Sequence, residues 1–286
     1  MPCPSCDDTG WKPIRIDGVM RVARCDCRRE AAGAALLDAA RIPRRYQHCD
    51  LATFVSYNEQ LTKALHHATR LADGFPVVDR GLFLLGPPGV GKTHLAVAVL
   101  RRLIITRGAR GIFYDTRDLL RVIRSTYDPV NHTAEVDVLR PVIEADVLVL
   151  DDLGAERTSE WVEETLNLIV NARYSDRRTT IFTSNDEDKP DTTDPDSLLF
   201  RIGYRMRSRL HEMCDFIDLD GADYRELPPN GGVDDLITLW KLRTKASRRT
   251  ALPARSAGQA RAQMRDREGK PDHKADLKWS GGRAGS

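Results

Sequence analysis

The sequence has no long apolar run, and no stretch of it approaches the roughly 20 apolar residues that a membrane-spanning helix requires. Its first residues, Met1 to Cys6, also lack the basic start and the apolar core of a secretory signal peptide. No internal repeat is visible. These absences argue against a membrane or repeat protein, and we expect a cytoplasmic protein whose cysteine thiols stay reduced.

The composition is ordinary for a globular chain: 286 residues, of which 30% are charged and 41% hydrophobic. That length supports one sizeable domain with attachments. The net charge of +2 conceals an uneven distribution, because residues 245–286 include eleven Lys and Arg against four Asp and Glu. This segment is also poor in large apolar residues, so we expect a disordered tail. The tail is either a weak nucleic-acid tether or a solvated segment without a specific partner.

The most informative segment is residues 82–93, where an apolar run meets the octet Gly86-Pro87-Pro88-Gly89-Val90-Gly91-Lys92-Thr93. A helical pattern begins at His94, which gives the strand–loop–helix order of a phosphate-binding P-loop. Glycines let backbone N–H groups turn inward around phosphate oxygens, and the helix N-terminus favours the same anion. We expect Lys92 to reach the β- and γ-phosphates and Thr93 to place its hydroxyl on Mg²⁺. The segment therefore predicts binding of a nucleoside triphosphate by residues 86–94.

Strand patterns alternate with helical patterns through the central part of the chain. The predicted strands are 81–85, 111–115, 146–151, 179–184 and 214–219, and the predicted helices between them are 92–106, 117–127, 134–144, 156–175 and 204–212. Two earlier helices are predicted at 30–41 and 57–72. Such alternation predicts an α/β fold with a parallel central sheet covered by helices on both faces.

The apolar strand 147–150 ends in Asp151 and Asp152, which is the Walker B arrangement. Two adjacent carboxylates at the end of a buried strand are costly unless a cation or a water needs them. We expect Asp151 to hold Mg²⁺ and Asp152 to orient and polarise the attacking water. This strand is expected to lie beside the P-loop strand. Asn185 ends the next strand and is expected to touch the γ-phosphate and the lytic water.

Three arginines, Arg205, Arg207 and Arg209, form a cluster in the last predicted helix, and Arg225 follows. An arginine can stabilise the charge that develops on the phosphoryl oxygens during transfer. Any one of them could instead form a surface ion pair of small effect. The pattern alone does not choose among the three clustered arginines.

Taken in order, these motifs resemble the AAA+ ATPases of the DnaC/IstB group, which includes bacterial and phage replicative helicase loaders and transposition ATPases. The resemblance covers about residues 40–228. The motifs that carry it are Ala-Arg-Ile-Pro-Arg-Arg-Tyr at 40–46, the P-loop with His-Leu-Ala after it, Leu-Val-Leu-Asp-Asp-Leu-Gly, Thr-Ser-Asn, Arg-Ser-Arg-Leu and Asp-Tyr-Arg.

The resemblance implies a role for each matching residue. ATP would be the nucleotide, and Asn185 would be the sensor 1 residue. Arg209 would be an arginine finger that acts in a neighbouring subunit, and Arg225 would be the sensor 2 arginine. Asp152 stands where most AAA+ proteins have the longer glutamate. The implied architecture is an AAA+ P-loop NTPase domain at 49–230, preceded by a zinc-binding module (1–29) and a linker helix with its lead-in (30–48), and followed by a mostly disordered basic tail (231–286).

Four cysteines, Cys3, Cys6, Cys25 and Cys27, lie within the first 27 residues. Four thiolates suffice for a tetrahedral Zn²⁺ site, and this segment is too short to bury a core of its own. Structural Zn²⁺ contributes about 10–16 kcal/mol in small peptides. The alternatives are four free or disulfide-prone cysteines and an iron–sulfur cluster. The opening phrase Cys-Pro-Ser-Cys-Asp-Asp-Thr-Gly-Trp is also similar to the zinc module of some helicase loaders. The other two cysteines are predicted to fill the core.

Arg117, Arg121 and Arg124 follow i, i+4, i+7 spacing on the helix predicted at 117–127, so they form one basic stripe. The stripe is either a track for single-stranded DNA, contacting its phosphates, or a solvated helix face. If the stripe is a DNA track, replacing Arg121 and Arg124 by Ala should weaken binding of single-stranded DNA and spare ATP affinity.

The resemblance favours an ATP-dependent helicase loader acting in DNA replication. It would assemble into an ATP-dependent oligomer, grip a DnaB-type hexameric helicase through the zinc module and the helix that follows it, and bind single-stranded DNA. One alternative is a transposition ATPase that binds duplex DNA and regulates a transposase. Another is a small-molecule P-loop kinase, which would need an acceptor site and an arginine-rich lid.

Overall fold

The computed structural model of the chain describes residues 3–16, 18–127, 134–156, 159–194 and 196–250. The chain divides into two units, Met1–Trp240 and Lys241–Ser286. The second unit is described only over residues 241–250, which are helical. The first unit contains every strand of the described residues and all of the predicted site residues.

The strands are β1 (Trp11–Ile16), β2 (Val19–Arg24), β3 (Gly81–Leu85), β4 (Gly111–Asp115), β5 (Val147–Asp151), β6 (Thr179–Ser184) and β7 (Cys214–Asp218). The α-helices are α1 (Asp26–Ala39), α2 (Glu59–Gly74), α3 (Lys92–Arg107), α4 (Thr116–Ser125), α5 (Glu135–Glu144), α6 (Glu160–Ser175), α7 (Leu198–Met213) and α8 (Val233–Thr250). All five predicted strands are present as β3 to β7, with bounds within one residue of the predicted ones.

The central sheet contains five parallel strands in the order β4-β5-β6-β3-β7. Side chains alternate between the two faces along each strand, so Leu82 and Leu84 enter one apolar core, whereas Phe83 and Leu85 enter the other. Helices α2 and α3 cover the first face, and α4 to α7 cover the second. The predicted α/β fold is therefore confirmed, and its strands all open their carboxyl ends at one edge, where ligand sites collect.

The segment ahead of the sheet is built differently. Strands β1 and β2 form an antiparallel hairpin in which Pro13 pairs with Val22 and Arg15 with Met20. The first cysteine pair lies in turns before β1, and the second pair lies at the junction of β2 and α1. No side chain described within residues 3–24 belongs to either apolar core of the sheet.

Several helix bounds differ from their predicted positions. α1 begins at Asp26, so the predicted module boundary after residue 29 falls inside a helix. α6 begins at residue 160, after the N-cap Ser159, rather than at 156. α7 begins at residue 198 rather than 204, and Gly203, with φ of +76°, interrupts its regular geometry one residue before the predicted start. α8 covers residues 233–250 of the segment expected to be mostly disordered, and residues 251–286 lie outside the described residues.

Among the residues that the structure describes, no helix combines the length and the apolar character that crossing a bilayer demands.

Candidate nucleotide site and cysteine cluster

The P-loop joins the end of β3 to the start of α3, and its glycines adopt conformations that other residues avoid. Gly86 and Gly89 have φ of +140° and +79°. A Cβ at Gly86 would lie 2.1 Å from the carbonyl oxygen of Leu219, and one at Gly89 would lie 1.8 Å from the carboxylate of Asp223. Only glycine fits these positions. The side chain of Val90 is fully buried, so this residue can offer a ligand only its backbone.

Lys92 is the first residue of α3, and 6% of it is exposed. Its ammonium group donates to the carbonyl oxygens of Gly86 and Pro87, at 2.6 and 2.8 Å, and to Oδ1 of Asn185 at 2.8 Å. Burial lowers the pKa of Lys92 to about 8, although nearby carboxylates act in the opposite direction. A phosphate at this position would offer the ammonium a charged partner in place of neutral oxygens.

Asp151 ends β5 and is 8% exposed. Its carboxylate accepts hydrogen bonds from the Thr93 hydroxyl, at 3.0 and 3.1 Å, and from the Thr183 hydroxyl at 2.6 Å. Burial raises the pKa of Asp151 to about 6, even though both hydroxyls stabilise its charged form. A bound cation would compensate this buried charge, and Mg²⁺ prefers oxygen ligands of this kind. Thr93 and Asp151 could therefore hold the predicted Mg²⁺.

Asp152 follows in a left-handed backbone conformation, with φ of +60°. Asn185 donates from Nδ2 to its Oδ1 at 2.5 Å, and Nη2 of Arg117 lies 3.4 Å from its Oδ2. Left-handed non-glycine residues cost about 1–3 kcal/mol each and concentrate at functional sites. The carboxylate of Asp152 is thus held by two side chains at the mouth of the nucleotide site.

The prediction that β5 lies beside the P-loop strand is wrong, because β6 lies between β5 and β3. Apolar patterns identify buried parallel strands but carry no information on their order. This order places Asn185, at the end of β6, between Lys92 on one side and Asp152 on the other, with a hydrogen bond to each.

A cavity of about 870 Å³ opens over these groups, a volume that suits a small-molecule ligand. The predicted residues that line it are Pro88, Gly89, Gly91, Lys92, Thr93, His94, Asp151, Asp152, Asn185 and Arg225. Sequence reasoning missed other parts of its wall: Asp115, Thr183, Tyr224 and the lead-in residues Arg45, Tyr46, His48, Cys49, Thr53, Phe54 and Val55. The Tyr224 hydroxyl donates to the carbonyl oxygen of Val55 at 3.2 Å and so connects Tyr224 to the lead-in. The Asp-Tyr-Arg motif was a signal for Tyr224, but it drew attention only to its arginine.

The three arginines of α7 have different environments. Arg207 forms a bidentate ion pair with Asp188, with Nε–Oδ1 and Nη2–Oδ2 distances of 2.5 and 3.1 Å. Arg205 is exposed and Arg209 is half-buried, and neither lines the nucleotide cavity. The structure therefore commits Arg207 to a partner in its own chain and leaves Arg209 outside its own nucleotide site.

The predicted basic stripe on α4 is divided among three environments. Arg117 turns towards Asp152, as described above. Arg121, whose side chain is 78% exposed, pairs with Asp118 at 2.9 Å. The guanidinium group of Arg124 lies 4.5 Å from the centre of the Trp161 ring. All three arginines are exposed, but Arg117 also lines the nucleotide cavity.

The sulfur atoms of Cys3, Cys6, Cys25 and Cys27 all lie within 4.8 Å of one another. The Cys3–Cys25 and Cys6–Cys27 distances are 3.8 and 3.4 Å, too long for disulfide bonds. Tetrahedral Zn²⁺ with Zn–S bonds of about 2.3 Å would hold its sulfur ligands about 3.8 Å apart. The cluster could therefore hold a metal ion of this size. The other two cysteines, Cys49 and Cys214, are buried as predicted.

The P-loop between β3 and α3, the acid pair after β5, the asparagine after β6 and the strand order together define the AAA+ class of P-loop NTPases. Within that class, the chain belongs to the IstB-like ATP binding protein family, whose model matches residues 33–226. The match begins after the four clustered cysteines.

Three known proteins indicate the range of similarity. The chain is 26% identical over 219 residues to the uncharacterized protein YqaM of Bacillus subtilis, covering 71% of this chain and 65% of YqaM. It is 27% identical over 140 residues to the replicative helicase loader DnaC of Escherichia coli K12, covering 49% of this chain and 56% of DnaC. A crystal structure of the DnaC helicase loader matches with a TM-score of 0.56 and 34% identity, over 62% of this chain and all of that one. The chain thus spans between about half and two thirds of the length of these curated relatives.

Proposed function

We propose that this protein is an ATP-dependent replicative helicase loader, acting in the cytoplasm at the initiation of DNA replication. The observation that carries the proposal is the likeness to the DnaC helicase loader, at 34% identity over the whole of that crystal structure. The nucleotide cavity supports this proposal, because a P-loop, an acid pair, Asn185 and Arg225 line the cavity and suit a triphosphate. The transposition alternative has less support, since curated relatives such as DnaC of Escherichia coli are named as replicative helicase loaders.

Hydrolysis of ATP is the proposed use of the nucleotide site. Asp152 acts as the general base, and Asn185, already bonded to Lys92 and Asp152, spans the γ-phosphate and the attacking water. Mg²⁺ bound by Thr93 and Asp151 would neutralise phosphate charge. Arg225, in the cavity wall, contacts the phosphates from the same subunit.

Self-association completes the proposed site, because Arg209 lies outside the cavity of its own chain. As an arginine finger it would enter the cavity of a neighbouring subunit, where such a group is worth about 10³–10⁵ in rate in other systems. Arg209→Ala subunits should therefore be inactive alone and recover when mixed with Asp152→Ala subunits, which supply intact fingers. Absence of recovery at every mixing ratio would contradict this geometry.

The cysteine module is proposed to bind Zn²⁺ and, together with α1, to grip a DnaB-type helicase hexamer. One face of its hairpin exposes large apolar side chains: Trp11, Met20 and Val22 are 45%, 63% and 69% exposed, Pro13 lies beside them, and Arg15 pairs with Met20 on the same face. Large apolar side chains that cluster in water on one face are characteristic of an interaction surface. The hairpin is therefore the best candidate for the helicase contact.

The surface of α4 is proposed to bind single-stranded DNA. Arg124 stacks on Trp161, and the ring of Tyr127 lies 6.4 Å from that of Trp161. Arginines interleaved with aromatic rings are what single-strand sites use, because the charges follow the phosphates and the rings stack on bases. Replacing Arg121, Arg124 and Trp161 together should weaken single-strand binding and reduce its salt dependence while sparing ATP affinity. DNA affinity that stays unchanged across a salt titration would contradict this role.

Co-sedimentation with the purified replicative helicase of the same organism, with and without ATP, tests the loader proposal. We expect ATP-dependent binding that the double variant Met20→Asp, Val22→Asp weakens at least tenfold without changing ATP affinity. Val77→Asp is the matched control, because Val77 is 89% exposed but lies ahead of β3, outside the hairpin. No helicase binding, together with a preference for duplex DNA, would instead support a transposition ATPase.

A further inference from the structure

The loop that follows Asn185 leads to α7, and the two ends of this loop are paired with each other. Glu187 forms a parallel bridge with Ser197, the N-cap of α7. The backbone N–H of Leu198, the first residue of α7, donates to the carbonyl oxygen of Glu187 at 2.9 Å. The end of β6, which carries Asn185, is therefore fixed to the start of α7.

A second attachment joins this loop to the middle of α7. The carboxylate of Asp188 accepts both guanidinium hydrogen bonds of Arg207, and Nε2 of His211 lies 3.0 Å from its Oδ2. The side chains of Asp188 and Arg207 are only 17% and 21% exposed. A bidentate pair that is mostly shielded from water fixes the orientation of both groups.

The part of α7 after Gly203 is held as one block. The imidazole of His211 stacks on the Phe216 ring, with centres 3.9 Å apart and planes 4° apart. Arg80 donates to the carbonyl oxygens of His211 and Cys214 at the end of the helix. Gly203, whose φ of +76° interrupts the helix, separates this block from the first turn of α7. Arg209 lies within the block, two residues from Arg207.

We propose that Asp188 is a positioning residue that links the nucleotide sensor Asn185 to the arginine finger Arg209 of the same chain. This inference rests on the proposed function, because it requires Arg209 to act in a neighbouring site. A γ-phosphate would compete with Asn185 for Lys92, so Asn185 changes partners when ATP binds. Asp188 lies three residues further along and passes that change to the block. The nucleotide bound by one subunit thereby sets the position of the arginine finger that this subunit places in the cavity of its neighbour.

The side of the subunit interface at which a defect appears separates this role from a merely structural one. Asp188→Asn subunits should keep a working cavity and offer a misplaced finger, and misplacement by about 1 Å can cost about 10²-fold in rate. Mixed with Asp152→Ala subunits, which have intact fingers, they should recover ATP turnover. Mixed with Arg209→Ala subunits, which have intact cavities, they should stay inactive.

Three further variants and two measurements on Asp188→Asn complete the test. Arg207→Lys keeps the positive charge but loses the bidentate geometry, so it should behave like Asp188→Asn in both mixtures. If Asp188→Asn folds poorly, Arg207→Lys takes its place in the test. Asp188→Glu should restore part of the activity, and Asp191→Asn, on the same loop, should behave as the unaltered protein. ATP affinity and the unfolding midpoint should be unchanged in Asp188→Asn.

Two results would overturn the proposal, and they differ from failure of the finger itself. If Asp188→Asn does not recover with Asp152→Ala, or if it rescues Arg209→Ala as well as Asp152→Ala does, Asp188 does not position the finger. If the reference mixture of Arg209→Ala with Asp152→Ala stays inactive, Arg209 is no finger and the proposal falls with it.

Discussion

The nucleotide site and the cysteine module differ in what maintains their geometry. The groups of the nucleotide site stand at the ends of strands that are buried on both faces, and Lys92 and Asp151 are themselves less than a tenth exposed. The hairpin of the cysteine module contributes no described side chain to the apolar cores, and much of its surface is open. One site is held by the fold around it, whereas the other depends on whatever joins its four thiols.

This difference predicts opposite responses to the loss of a ligand. A site preorganised by a core keeps its shape when its ligand leaves, because the packing energy does not come from the ligand. In a module without a core, metal binding and folding are one step, and the free energy of one is the free energy of the other. The three predictions that follow test this contrast, from the largest expected effect to the smallest.

Metal removal should unfold the cysteine module and spare the nucleotide site. Structural Zn²⁺ in small peptides contributes about 10–16 kcal/mol, more than a hairpin without a core can replace. We expect one Zn²⁺ per chain, lost on chelation or in Cys25→Ser, with loss of hydrogen-exchange protection in residues 11–24. ATP affinity should change less than twofold.

Cys214→Ala is the matched control for that experiment, because Cys214 is buried in the main domain away from the cluster. It should retain its full metal content. Loss of ATP binding on chelation would show that the two regions share their stability and would remove the contrast. If the chain instead binds iron and absorbs visible light, the four thiols hold an iron–sulfur cluster rather than Zn²⁺.

Within the nucleotide site, binding and turnover should separate. Lys92→Ala should abolish ATP binding, because no other described side chain of the P-loop carries a positive charge at the buried end of the cavity. Asp152→Ala should bind ATP and lose about 10²–10⁴-fold in turnover, the usual contribution of a general base. Equilibrium binding and steady-state hydrolysis measure the two effects.

Asp73→Ala controls for the loss of a carboxylate, since Asp73 is an exposed partner of Arg102 at the surface. It should bind and hydrolyse ATP as the unaltered protein does. Turnover that survives in Asp152→Ala would assign the base to another group.

The sequence was sufficient where function depends on neighbouring residues. The P-loop octet specifies its own turn, and Asp151 and Asp152 are adjacent in the chain, so both positions in the cavity wall follow once the strand is recognised. The paired cysteine motifs were likewise visible from spacing, and the four thiols do meet. Strand positions followed from continuous apolar runs, which buried parallel strands require.

The sequence was insufficient where function depends on which way a side chain turns. Arg117 shares the spacing of Arg121 and Arg124, yet it turns to Asp152 because the first turn of α4 lies beside the end of β5, where Thr116 donates to the carbonyl oxygen of Asp151 at 2.8 Å. Arg173 of α6 is a charged residue, yet it is only 1% exposed. It donates to carbonyl oxygens that follow from the pairing of distant segments, those of Val142, Ile143, Ala145 and Thr179. Such contacts depend on strand order, which periodicity does not encode.

The smallest predicted effect concerns the free energy of unfolding that the protein loses by burying the Asp151 carboxylate in the nucleotide site. Burial raises the pKa of Asp151 from an ordinary 3.8 to about 6. Between these values the folded state binds more protons than the unfolded state, so stability falls as pH rises through this window. Above about pH 6 the full penalty applies, at most about 3 kcal/mol for a shift of this size. Below the unfolded value it vanishes.

Asp151→Asn removes that charge at every pH while its amide oxygen can still accept from the hydroxyl of Thr183. The ligand-free variant should therefore gain about 1–3 kcal/mol in free energy of unfolding at pH 7.5 and almost nothing at pH 4. With Mg²⁺ and ATP present the order should reverse, because only the carboxylate attracts the cation. Urea unfolding at both pH values, with and without Mg²⁺ and ATP, measures this, and Asp73→Asn serves as the exposed control. An equal gain at both pH values would mean that packing, rather than charge, causes the difference in free energy of unfolding between Asp151→Asn and the unaltered protein. The buried charge of Asp151 would then not destabilise the ligand-free nucleotide site.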